Sequence, residues 1–60
     1  MSTKQMIDEL MRSLEAQTIH LVRSGKMTRA DYDAALKKER DRYLTLTDQH
    51  IKNIFVMNFC

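Results

Sequence analysis

The residues of this chain that could do chemistry are few. His20 and His50 are its only histidines and Cys60 its only cysteine, set among ten Lys+Arg, eight Asp+Glu and scattered hydroxyls. Acid–base catalysis and metal binding need such groups to converge in one pocket. His20 falls near the end of one apolar-periodic run and His50 near the end of the next, so in an antiparallel hairpin they stand roughly a helix length apart. No His/Cys/Asp/Glu grouping has zinc-ligand spacing. There is no glycine-rich phosphate loop, nucleophile elbow or paired-carboxylate motif. The sequence therefore predicts no catalytic residue, no metal site, no cofactor and no small-molecule substrate, and so no enzyme. A lone cysteine also excludes an intrachain disulfide.

Basic side chains are the other chemical resource. Arg23, Lys26 and Arg29 surround the only glycine, and Lys37, Lys38, Arg40 and Arg42 crowd one later run. Together they could form a phosphate-binding patch. Three observations weigh against it. The formal net charge is only +2, the four later cations wrap around a helix without aligning, and Glu39 with Arg42, like Asp33 with Lys37, is spaced to pair along the helix surface. A solvated, mixed-sign face is the leading reading, and nucleic-acid binding the alternative.

These residues must be positioned by helices. Gly25 can adopt the left-handed conformation that closes a helix, and Thr28 with Asp31 opens a new one. Ser2 and Gln5 have capping-box spacing at the start. Between them Ile7, Leu10, Leu14, Gln17 and Leu21 recur at steps of three and four, with Met11, Thr18 and Val22 alongside. After the turn Tyr32, Ala35, Leu36, Tyr43 and Leu46 repeat the rhythm. The fold class expected is all-α, an antiparallel helical hairpin within one domain spanning residues 1–60. Its first helix runs over about 3–24, its turn over 25–28 and its second helix over about 29–54, ending in an apolar tail.

Length then shapes the functional expectation. A partner antiparallel to the first helix should end near residue 50, so Ile51, Ile54, Phe55, Met57 and Phe59 would overhang with nothing of their own to pack on. A 60-residue chain is also marginally stable alone. These residues are therefore expected to form a dimer or partner interface, the hairpins pairing into a four-helix-bundle-like homodimer. No apolar run approaches the roughly 20 residues that span a bilayer, and the first residues lack the pattern of a secretion signal. A cytoplasmic protein without membrane contact is expected.

The stretch Leu21-Val22-Arg23-Ser24-Gly25-Lys26-Met27-Thr28-Arg29-Ala30-Asp31-Tyr32-Asp33 resembles the short C-terminal oligomerisation domains of SHOCT type. Its pattern is an apolar helix end, a glycine, an aliphatic residue, a threonine and an acidic–aromatic pair. That resemblance implies self-association. The whole chain is similar to small helical early proteins of lambdoid bacteriophages, which implies a regulator acting on a host protein. Ser2-Thr3-Lys4-Gln5 and Ala16-Gln17-Thr18-Ile19 resemble the first helix of Rop-type hairpins, whose dimeric four-helix bundles bind paired RNA loops. The function expected is a small homodimeric protein-interaction module, with a Rop-like nucleic-acid-binding dimer as the alternative.

Overall fold

Ser2 opens the first helix by reciprocal capping. Its hydroxyl accepts from the Gln5 N–H at 3.2 Å, and the Gln5 side chain accepts from the Ser2 N–H at 2.7 Å, satisfying two donors that a helix start leaves orphaned. The computed structural model describes all 60 residues. It places α1 over Thr3–Thr18, α2 over His20–Arg23, α3 over Arg29–Leu44 and α4 over Asp48–Phe59, with no strand. The chain is all-helical.

Helices α1 and α2 form one rod. Ile19 between them remains right-handed helical, and its N–H still bonds the Glu15 carbonyl at 2.9 Å. The interruption has a local cause. The Thr18 hydroxyl donates back to the Leu14 carbonyl at 2.7 Å, and the Tyr32 hydroxyl donates to the Glu15 carbonyl at 3.2 Å. Side chains that capture helix carbonyls in this way bend the ladder.

At the end of the rod, Gly25 has φ +79. The Lys26 N–H reaches the Leu21 carbonyl at 2.9 Å and the Gly25 N–H the Val22 carbonyl at 3.1 Å, a Schellman closure that requires a left-handed residue at this position. Thr28 then caps α3, accepting from the Asp31 N–H at 3.1 Å. The direction of α3 follows from its contacts with α1. Tyr32 at its start meets Glu15 and Thr18, and Arg40 near its end pairs with Asp8 at 2.9 Å. The expected antiparallel hairpin is present.

The expectation of a second helix over 29–54 is corrected. Helix α3 stops at Leu44, the Thr45 N–H turns back to the Arg42 carbonyl, and Thr47 is extended with ψ 160. The Thr47 hydroxyl accepts from the His50 N–H at 3.2 Å and so caps a new helix, with Asp48 in its first turn. Thr45 and Thr47 are β-branched and weak helix formers, and a threonine hydroxyl serves better as a cap. The residues after His50 therefore do not overhang but fold back on α1.

The core is small. Ile7, Leu10 and Met11 of α1 meet Tyr43 of α3 and Ile51 of α4 in one cluster, while Tyr32 is buried nearer the turn. Met6, Leu14, Leu36, Leu46, Ile54 and Phe55 pack around the cluster half-exposed. Gln17, at a core-type step of the first stripe, instead lies exposed and donates to the Ser13 hydroxyl. The molecule measures 36 × 23 × 14 Å. Its thinnest direction is about the depth of two packed helices. No helix is long and apolar enough to cross a membrane.

Candidate functional site

Because α4 docks on the N-terminal half of α1, the other end of the hairpin is left open. Between the close of α1, α2 and the inner face of α3 lies a groove of about 410 Å³ lined by Leu14, Leu21, Met27, Ala35 and Leu36, with Tyr32 and Tyr43 in its walls. The Schellman turn positions Met27 here, since its N–H bonds the same Leu21 carbonyl at 3.1 Å. The antiparallel register brings Leu36 opposite Leu14.

All but one of the groove's polar groups are engaged within the protomer, the exception being the Tyr43 hydroxyl, which is open to water. Thr18 donates to Leu14, and Tyr32 donates to Glu15 while lying 3.0 Å from the Thr18 hydroxyl. Glu39, the one charged residue of the lining, takes two hydrogen bonds from Arg42, at 3.2 and 2.6 Å. The hydrogen bonds from Arg42 hold the Glu39 carboxyl below its ordinary value against the opposing effect of partial burial. Small-molecule sites need a few converging polar groups to fix orientation, and here only the Tyr43 hydroxyl is left without a partner. An apolar ridge of another helix is what such a surface accepts.

The expected interface residues separate into two sets. Ile51 is fully enclosed in its own protomer, and Ile54 and Phe55 lean against the same core half-exposed. Met57 and Phe59, together with Val56, point outward, Met57 being 83% exposed. The Phe55 and Phe59 rings sit 4.7 Å apart at 38°, so the end of α4 carries an aromatic pair partly open to water. Leu44, at the close of α3, is exposed as well.

The seven cations of the alternative patch also divide. Arg29 pairs with Asp33 at 3.2 Å, Lys37 with Asp41 at 3.1 Å, Arg40 with Asp8 at 2.9 Å and Arg42 with Glu39 at 2.6 Å. The expected Asp33–Lys37 pair is thus replaced by two pairs, each residue choosing its other neighbour one helical turn away. Arg23, Lys26 and Lys38 have no ion-pair partner. The first two stand at the turn and the third lies more than two helical turns into α3, so they do not line one track.

His20, His50 and Cys60 are each exposed, and no group of three His, Cys, Asp or Glu side chains is gathered as a metal site would need. Sequence reasoning missed the hydroxyl roles of Tyr32 and Thr18. Tyr32 read only as an apolar step, although a buried tyrosine ordinarily needs a partner for its hydroxyl, and Thr18, about two helical turns before the glycine, was within reach. Comparison with family models, curated proteins and solved structures finds no match to this chain.

Proposed function

We propose that this chain is a small, non-catalytic, homodimeric protein-interaction module, its hairpins pairing into a four-helix-bundle-like assembly. The observation that carries this reading is the open apolar groove, in which the Tyr43 hydroxyl is the one polar lining group without a hydrogen-bond partner in the protomer. Surface area supports it. An ordinary monomer of this mass exposes about 4,100 Å², whereas this protomer exposes 4532 Å² and buries only six residues. Exposed Val56, Met57 and Phe59 add a second apolar surface outside the groove. The likeness to early phage proteins supports a regulator that meets a host protein in the cytoplasm.

Unpartnered Arg23, Lys26 and Lys38 support a second reading, a Rop-like dimer bound to RNA or DNA. Its weakness is that Arg29, Lys37, Arg40 and Arg42 are occupied by carboxylates. Salt separates the two readings, because phosphate contacts lose affinity steeply between about 50 and 200 mM salt while apolar docking hardly responds. In a gel-shift assay with duplex DNA and structured RNA, the module reading expects no shift even at low salt. A shift abolished by Arg23→Ala with Lys26→Ala would replace it. For the groove itself, Leu21→Asp puts a charge on the apolar floor and should abolish association while leaving the helical circular dichroism in place.

A further inference from the structure

The homodimer reading gives two copies the groove at the turn end as one surface on which to meet, and the turn between α3 and α4 offers a second route to joining them at the other end of the hairpin. That turn contains neither glycine nor proline nor any left-handed residue. Thr45 already has helical angles, φ −89 and ψ −10. Thr47 has a helical φ of −71, and its ψ of 160 is far from helical. The break is thus shallow in conformational terms. One capping hydrogen bond, from the His50 N–H to the Thr47 hydroxyl, holds its α4 side, and bonds from the Thr45 N–H and hydroxyl to the Arg42 carbonyl and from the Leu46 N–H to the Tyr43 carbonyl hold its α3 side.

The apolar pattern runs straight through it. Written on one uninterrupted helix at about 100° per residue, Leu36, Tyr43, Ile51 and Ile54 fall within about 80° of one another. Leu44 would then lie within about 20° of Ile51, one heptad before it. In the folded-back chain Leu44 is 64% exposed, and nothing in a single protomer explains it.

Resting on the homodimer reading, we infer that the dimer forms by exchange of α4. The Thr45–Thr47 turn straightens, α3 and α4 continue as one helix from Arg29 to Phe59, and each Ile51 packs against Ile7, Leu10 and Met11 of the second copy. Such a helix is about 46 Å long, longer than the 36 Å extent of the folded-back chain. Exchange preserves the core, because α4 packs chiefly on α1 and the same faces meet across the two copies. It also carries Leu44 to the side on which Ile51 is covered. Exchanging an identical element is a low-cost route to a dimer, and a short connection favours it.

Asp48 supplies the test. It is the first residue of α4, its N–H bonds no backbone carbonyl, and the residue before it is extended. Proline is accommodated at such a position but breaks a helix that runs through it. Asp48→Pro should therefore leave the folded-back protomer intact, with unchanged ellipticity at 222 nm, and weaken the dimer at least 100-fold in sedimentation equilibrium. Asp48→Ala should dimerise as the natural chain does. Thr47→Ala removes the cap on the α4 side of the break and should tighten the dimer about tenfold. An Asp48→Pro dimer as tight as the natural one, or a Thr47→Ala dimer no tighter, overturns the exchange and leaves the homodimer reading standing. A natural chain and a Thr47→Ala variant that both stay monomeric at millimolar concentration overturn the two together.

Discussion

Replacing Ile51 with alanine removes three carbons from the one side chain that is wholly enclosed. At about 0.8 kcal/mol per buried methylene the transfer loss is about 2.4 kcal/mol. The cavity left among Ile7, Leu10, Met11 and Tyr43 adds to it, within a range of about 2–5 kcal/mol for such truncations. A helix joined by a three-residue turn can settle inward, so the expected cost is near the middle, about 3 kcal/mol. A chain of this length has only about 3–9 kcal/mol in total. Each kcal/mol moves Tm by about 4–8 °C in a domain this small, which places the melting midpoint at least about 12 °C below that of the natural chain. Circular dichroism at 222 nm reads this directly, with Met57→Ala as a control. Met57 is 83% exposed, and its truncation should fall within about 0.5 kcal/mol of neutral. If Ile51→Ala and Met57→Ala melt alike, α4 is not docked through Ile51, and the core described above is wrong.

Three further substitutions probe the turn, the groove wall and the ion pair. A methyl group added at Gly25 meets nothing within 4 Å, so Gly25→Ala should cost only the left-handed strain, about 1–2 kcal/mol, read as a lower Tm. Tyr32→Phe leaves the ring in place but removes the bond to the Glu15 carbonyl; about 1 kcal/mol should be lost in urea unfolding at unchanged m. Glu39 is held below its ordinary 4.5 chiefly by the hydrogen bond from Arg42. A folded value below the unfolded one means that the carboxylate stabilises fully above about pH 5 and loses that contribution as pH falls through the lowered folded value. The difference in Tm between the natural chain and Glu39→Gln should therefore narrow from pH 7 to pH 3, and a constant difference would mean the pair does not act through charge.

Local chemistry made half of this fold legible. Ser2, Gln5, Gly25 and Thr28 each have one dominant use in a helical chain, and the structure uses each in that way. The stripe of Ile7, Leu10 and Leu14 likewise had to face a partner. The break at Thr45–Thr47 was not legible because periodicity is blind to it: Leu36, Tyr43, Ile51 and Ile54 stay in phase whether or not the helix is interrupted. The available signal was weaker and chemical, two β-branched residues with Thr47 directly before Asp48, a cap followed by an acid in the first turn. Missing it turned a helix that folds back into an overhang. Of the groove, Leu14, Leu21 and Leu36 were readable as core, but that they stay half-exposed depends on where α4 lies. The partner choice of Asp33 was not readable at all, since Arg29 and Lys37 are equally spaced from it.

Sedimentation equilibrium of the unaltered chain, over a wide range of protein concentration and at about 50 and 200 mM salt, bears most directly on the proposed role. A mass rising from the 7.1 kDa of one chain to twice that value, with an association constant nearly independent of salt, is the predicted result. A mass fixed at that of a single chain throughout would contradict it.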